Sequence, residues 1–339
     1  TCYDVLYRTP RQHVGGCLWH SFDHQRGYHP DPFYGGLMDV FRQPKYSYYM
    51  FQAQRSPKKQ DRLFETGPMV YIAHEMTPFS PKDVTVYSNC DEVRLTYNKG
   101  GKSLTYTKPV SREGMPSPII TFKDVYNFMI DKNMSMKEGR QKEVFLLAEG
   151  LINGKVVATH KVCPARRPSK LLLWIDNENT ELKADGSDFV TVIAAIADKN
   201  GNIKRLNNYY VKFHIEGEGR ILGGANVLAN PAPVKWGTAP ILVQSTLKPG
   251  KIKITASVLF EGSQMPVSAE LELESKPSAY PLIYASEEAA LIPMKSDSQS
   301  FPITAKSQKE LEKEKAVKEQ NERKLKEVEQ QQADFGEKK

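Results

Sequence analysis

Hydrophobic and polar residues follow different periods along this chain, and the changes of period divide it. The first apolar run, Val14-Gly15-Gly16-Cys17-Leu18-Trp19, has the length and glycine punctuation of a buried strand. A polar stretch rich in His, Asp and Arg follows it. Pro44 then introduces residues 45–54, where Tyr46, Tyr49, Met50 and Ala53 fall at the i, i+3, i+4, i+7 spacing of an amphipathic helix. Strand, polar loop and helix make one βα unit. Pro10 argues against a continuous helix through the residues before it.

From residue 66 to 167 the period shortens to two. Strands are expected at Met69–Ala73, Val84–Ser88, Val93–Tyr97, Ser103–Tyr106, Glu143–Leu151 and Lys155–Cys163, the last two joined by the Asn153-Gly154 hairpin signal. These sum to a small antiparallel sandwich. The stretch between Ser111 and Gln141, with four methionines, breaks the pattern and reads as a longer loop or a short helix. A second β-module covers residues 169–276. Its strands include Leu171–Ile175, the long run Phe189–Ala197, Tyr210–Ile215 and Lys251–Val258, separated by turns such as Asp198-Lys199-Asn200-Gly201-Asn202. Strand spacing of about 8 to 12 residues with no intervening helix fits an Ig-like sandwich. Residues 277–339 form a low-complexity tail, interrupted by prolines and then almost entirely Glu, Lys, Gln and Ala, without a sustained heptad.

The expected fold class is therefore mainly β: one βα unit over residues 1–57, two antiparallel sandwiches and a charged tail. Composition adds little. The net charge of +7 is spread among 40 acidic residues, and no element carries a basic stripe that would bind nucleic acid. No apolar run approaches the roughly 18 residues that cross a bilayer. Cys2, Cys17, Cys90 and Cys163 form no C-x-x-C pair, and Cys17 reads as a small core residue of its strand.

Two segments resemble a known family. GGCLWHSFDHQ, residues 15–25, is similar to the end of the eighth barrel strand of glycoside hydrolase family 2, where a Gly-Gly-x-x-Trp run precedes an Asp four residues on, here Trp19 and Asp23. YGGLMDVFRQPKYSYYMFQAQR, residues 34–55, resembles the segment that closes that (β/α)8 barrel. Residues 87–98 and 146–162 resemble a sandwich that follows the barrel in Bacteroidetes-type members, and ADGSD, DKNGN and PGKIKITA resemble bacterial Ig-like domains. The resemblance implies a β-galactosidase-like retaining hydrolase whose two catalytic glutamates stand on earlier barrel strands. Since one βα unit cannot form a barrel and Thr1 is not an initiator Met, the chain reads as the C-terminal part of a larger enzyme, with no catalytic residue of its own. The partners expected are a galactoside-type glycan and the upstream barrel of the same enzyme, with no cofactor and no metal. A homo-oligomer stays open, and the resemblance alone implies a periplasmic or secreted bacterial protein.

Candidate binding residues gather in the loop, which in a (β/α)8 barrel lies at the C-terminal mouth. The resemblance implies that Trp19 floors the sugar subsite; in its absence the indole would be a core residue. Asp23 either accepts hydrogen bonds from sugar hydroxyls, orients a glutamate, or caps its own loop. His20 and Tyr34 are assigned to the same wall. His20, His24 and His29 invite a metal, but their spacing offers no clear third ligand. Asp39 with Arg42 or Lys45 reads as a structural ion pair. Glucuronidases of the family carry an Asn-x-Lys where this chain has Pro32-Phe33-Tyr34-Gly35, so a neutral sugar is favoured, galactose first. The competing reading is a non-catalytic Ig-like carbohydrate-binding or adhesion protein in which the first 55 residues only pack.

Overall fold

The computed structural model describes residues 2–10, 12–25, 27, 32–58, 67–98, 103–109, 114–130, 144–176, 180–259 and 266–279. From residue 280 on, the expected tail lies outside the described residues, as do His29, Met134 and Met136.

Helix α1 spans Cys2–Leu6 and α2 spans Tyr46–Gln52, directly after Pro44 as the spacing predicts. Strands β1 (Val70–Ala73), β2 (Val84–Ser88), β3 (Glu92–Tyr97), β4 (Ser103–Thr107), β5 (Ile120–Phe122), β6 (Leu146–Ile152) and β7 (Lys155–Val162) build the first sandwich. One sheet runs β1-β2-β5 and the other β4-β3-β6-β7, antiparallel throughout. The period-two pattern does what it predicts: Val84, Val86, Val93, Leu95, Leu146 and Ala148 are all at most 1% exposed between the sheets. Asn153 and Gly154 both take positive φ, 51° and 72°, as a type I′ hairpin turn requires.

The second sandwich comprises β8 (Lys170–Asp176), β9 (Lys183–Ala184), β10 (Phe189–Ala197), β11 (Tyr210–Gly217), β12 (Gly219–Ile221), β13 (Ala232–Pro233), β14 (Thr238–Ser245), β15 (Gly250–Val258) and β16 (Ala269–Pro277). Sheet β12-β14-β10-β8 faces sheet β13-β11-β15-β16-β9, and β9 alone pairs in parallel. Val190, Val192, Ala194 and Ile196 of β10 meet Val211, Phe213, Ile252, Ile254 and Ala256 in one core. Strand β10 is buried on its other face as well, at Thr191, Ile193, Ala195 and Ala197. That explains its unbroken apolar sequence, because a strand covered on both faces has no reason to alternate.

Two expectations are corrected. Residues 14–19 form no strand: Val14 and Trp19 are fully or largely exposed, and no described strand pairs with them. A parallel barrel strand needs neighbours on both edges, and the described residues offer none. Cys17, read as core, is accordingly exposed. The 111–141 stretch, expected as a longer loop or a short helix, turns helical at 128–130, adds the three-residue strand β5, and buries Met115, Ser117 and Tyr126, while Met129 stays exposed.

Candidate functional site

The loop between residues 20 and 45 is folded by backbone pairing to itself. Asp23 N–H donates to Met38 O at 2.9 Å, Met38 N–H to Ser21 O at 3.0 Å, and Lys45 N–H to Leu37 O at 3.0 Å. Gly36 sits where these strands of loop cross. A Cβ there would lie 2.3 Å from Asp23 N and 2.6 Å from Met38 O, so only glycine fits. At the centre is Asp23, 5% exposed. Its Oδ1 accepts from Gly36 N–H at 2.9 Å and from the Lys45 ammonium at 2.5 Å. The same ammonium donates to Tyr34 O at 3.1 Å. Of the readings left open for Asp23, these bonds describe the loop cap, and they make it a charged one.

Trp19 stands at the start of this loop with its side chain open to solvent at 81% exposure. Its ring meets His20 edge-on, with centroids 5.0 Å apart. His20 in turn lies 4.0 Å from the His24 ring, and Phe33 closes the group at 5.5 Å and 5.6 Å from the two histidines. Both ring nitrogens of His20 and Nδ1 of His24 are shielded from solvent without a hydrogen-bond partner. Burial, and then the neighbouring His24, lower the His20 pKa below its ordinary value, which favours a neutral ring. Among the described residues no group of three His, Cys, Asp or Glu could hold a metal ion.

Asp39 makes no pair with Arg42 or Lys45, contrary to the expectation. Its Oδ1 accepts the backbone N–H groups of Phe41 and Gln43 at 2.8 and 2.9 Å, closing a tight turn in which Arg42 takes φ 63°. Burial holds its carboxyl above the ordinary range. Arg42 reaches instead to the second sandwich, donating to Asp176 O at 2.9 Å with Asp176 Oδ2 at 3.4 Å. Lys45 pairs with Asp23. The competition was settled by backbone geometry: an Asx turn satisfies Asp39 locally and leaves both cations to reach further.

The helix that follows is tied down just as firmly. Tyr46 Oη donates to Glu75 Oε1 at 2.9 Å, and Arg205 Nε donates to Glu75 Oε2 at 3.1 Å. Tyr49 stacks on Tyr71 at 3.6 Å and 7°, and Tyr71 on His160 at 4.5 Å. Gln54 and Ser117 exchange reciprocal bonds at 2.9 and 3.0 Å, and Asp4 Oδ1 accepts from Met115 N–H at 2.9 Å. Buried Asn89 binds the backbone of Arg55, Gly67 and Met69. Sequence reasoning named none of these partners. They are separated by 20 to 130 positions and leave no local periodicity to read.

Comparison with known proteins places this arrangement. Residues 173–259, most of the second sandwich, match the model of glycoside hydrolase family 2 C-terminal domain 5. A β-galactosidase of Thermoanaerobacter pseudethanolicus is 32% identical over 78% of this chain and 34% of its own length. The chain carries a C-terminal domain of glycoside hydrolase family 2. A second family 2 relative, β-galactosidase BoGH2A of Bacteroides ovatus, is 28% identical over 72% of the chain and 27% of its own length. A solved β-glucuronidase of family 2 shares the fold, with a TM-score of 0.53 at 22% identity over 74% of this chain and 24% of that one. The chain thus spans about a third or less of the length of the curated relatives it matches.

Proposed function

We propose that this chain is the C-terminal region of a retaining, exo-acting β-glycosidase that releases terminal neutral sugars, galactose first, from oligo- or polysaccharides. In this reading Trp19, His20, Asp23 and Tyr34 belong to the wall that holds the sugar being cleaved. Two carboxyls about 5 to 5.5 Å apart, as nucleophile and as acid/base, would stand on the rest of the barrel. The observation that carries the reading is Trp19. A large indole at 81% exposure is set beside two packed imidazoles on a loop pinned by the Asp23–Lys45 bond. An exposed aromatic face suits the C–H face of a sugar.

The preference for a neutral sugar is supported by charge. Both cations in the described part of the loop, Arg42 and Lys45, are already paired with Asp176 and Asp23, and so offer no ready partner to a uronate carboxylate. The β-galactosidase relatives point the same way. The test is kinetic, on the intact enzyme containing this chain. Trp19→Ala is expected to lower kcat/KM on an aryl β-galactoside about tenfold or more, which corresponds to about 1.4 kcal/mol of transition-state stabilisation. Aryl β-glucuronide is expected to turn over poorly. Unchanged kcat/KM in Trp19→Ala refutes the role of the indole, and a preference for the glucuronide refutes the sugar.

A further inference from the structure

The second sandwich touches the candidate sugar wall through two separate polar tethers, and each is traceable residue by residue. The first begins at Arg205, in the connection after β10, which is fixed by Nη1 donating to Trp236 O at 3.3 Å. Its Nε donates to Glu75, just after β1 of the first sandwich, and the other oxygen of Glu75 accepts the Tyr46 hydroxyl. Tyr46 is the first residue of α2, and the residue before it is Lys45, whose ammonium binds Asp23 and Tyr34 O. One carboxylate therefore joins three bodies: second sandwich, first sandwich and the helix whose N-terminus carries the cation of the loop. Both partners are largely shielded, with Glu75 at 18% and Arg205 at 27% side-chain exposure. The second tether is Arg42, which leaves the Asp39 turn to bind the end of β8 at Asp176.

These two tethers act on opposite sides of Lys45, at Arg42 and at Tyr46. Between them the residues Leu37 to Lys45 have little freedom, and those residues hold Asp23 in place through Met38 and Lys45. From this geometry we infer that the second sandwich is a positioning element for the sugar wall, with Glu75 and Arg42 as its positioning residues. The inference rests on the sugar-wall reading for its kinetic consequence but not for its mechanical one. A group held by several bonds keeps its geometry, whereas small displacements of a substrate-holding wall lower rates steeply.

Two measurements test it. The first is hydrogen exchange on the chain itself, read at the amides of Asp23, Met38 and Lys45. Glu75→Ala, which removes both bonds, is expected to speed their exchange about tenfold, equivalent to about 1.4 kcal/mol of lost local protection. Glu75→Gln keeps an acceptor for Tyr46 and is expected to restore part of the protection. Arg42→Ala, which lies outside the buried joint, is expected to speed the same amides if Glu75→Ala fails to fold. The second measurement is kinetics of the intact enzyme. Glu75→Ala is expected to lower kcat/KM on an aryl galactoside about tenfold, with Glu75→Gln between it and wild type.

Exchange at these amides that stays at the wild-type rate while the melting temperature falls would assign Glu75 to stability alone and overturn the inference. Faster exchange with unchanged kcat/KM would also overturn it, provided Trp19→Ala does impair turnover. Should Trp19→Ala leave turnover intact, the sugar-wall reading fails, and the exchange result alone decides whether the sandwich orders the loop.

Discussion

In the second sandwich the inward residues of β10, from Val190 to Ile196, are answered by apolar residues of the facing sheet, and most are wholly buried. In residues 14–45 the strongest contacts are single polar bonds, and Val14, Trp19, Phe22, Phe33, Tyr34 and Val40 all remain exposed. The two regions differ in how their order is held. Burial of many side chains is non-directional and tolerant, since each contributes on the order of 1.5–3 kcal/mol independently of exact geometry. Bonds such as Asp23–Lys45 and Arg42–Asp176 are few, directional and individually replaceable by water. A core of the first kind makes a rigid support, and a loop of the second kind keeps its shape only while each of its few bonds is made. That division suits a scaffold that presents a binding wall without itself carrying the reaction.

The largest effect that would break the comparison lies in the core. Phe213 is 2% exposed in β11, among Val211, Ile254 and Ala256. Phe213→Ala is expected to cost about 3–5 kcal/mol in unfolding free energy, through lost burial and the cavity left behind. Denaturant titration of the chain measures it. A cost below about 1 kcal/mol would mean that the second sandwich is not held by this core.

A smaller, more local effect is expected from Lys45→Met. It keeps most of the side chain's bulk and leaves the Asp23 carboxylate, 5% exposed, with Gly36 N–H as its remaining partner named here. Losing one charged partner of a buried acceptor costs about 1–3 kcal/mol, and the loss is expected to appear as loop opening and not as unfolding of either sandwich. Proteolysis checks this: cleavage within residues 20–45 is expected to accelerate while the sandwiches survive. Equal resistance of wild type and variant would show that the backbone pairing of Ser21, Asp23, Met38 and Lys45 suffices alone.

How much of this was legible beforehand follows the same division. Strands held by burial announce themselves, because period-two alternation is a statement about which face is covered. Val84–Ser88 reads off the sequence to the residue, and the helix after Pro44 to within two residues at each end. Strand β5 was missed because three residues, Ile120–Phe122, are too few to establish a period. The strand expected at 14–19 failed for the opposite reason: its pattern is genuine, but a strand exists only through its neighbours. In the loop, residue types alone did not give the pairing. Nothing local distinguishes Asp39–Lys45 from Asp23–Lys45. The choice was made by the two backbone N–H groups that Asp39 caps.

The smallest expected effect concerns pH, and it sharpens the comparison by falling on the joint between the regions. His160 Nδ1 accepts the Ile72 N–H at 3.1 Å while its ring lies against Tyr71, which stacks on Tyr49 of α2; Glu75 is the charged group nearest in influence. His74 is fixed likewise, with Nδ1 accepting Met76 N–H at 3.1 Å and Nε2 meeting Pro81 O at 2.9 Å, so the proton sits on Nε2. Burial lowers both pKa values below the ordinary 6.5. The folded state therefore binds fewer protons than the unfolded chain below that pH. Stability from these neutral rings is fully present above about pH 6.5 and is lost as pH falls toward their depressed values, by at most about 1.4 kcal/mol per pH unit for each ring. Thermal unfolding between pH 7 and pH 5 is expected to show a falling midpoint. His160→Gln keeps an acceptor for Ile72 and removes the titration, and is expected to flatten part of that slope. His74 and His160 both belong to the first sandwich, so domain-resolved unfolding is expected to show their slope there. An unchanged slope in His160→Gln would mean that protonation of this ring is not what couples acid to the loss of α2 from β1.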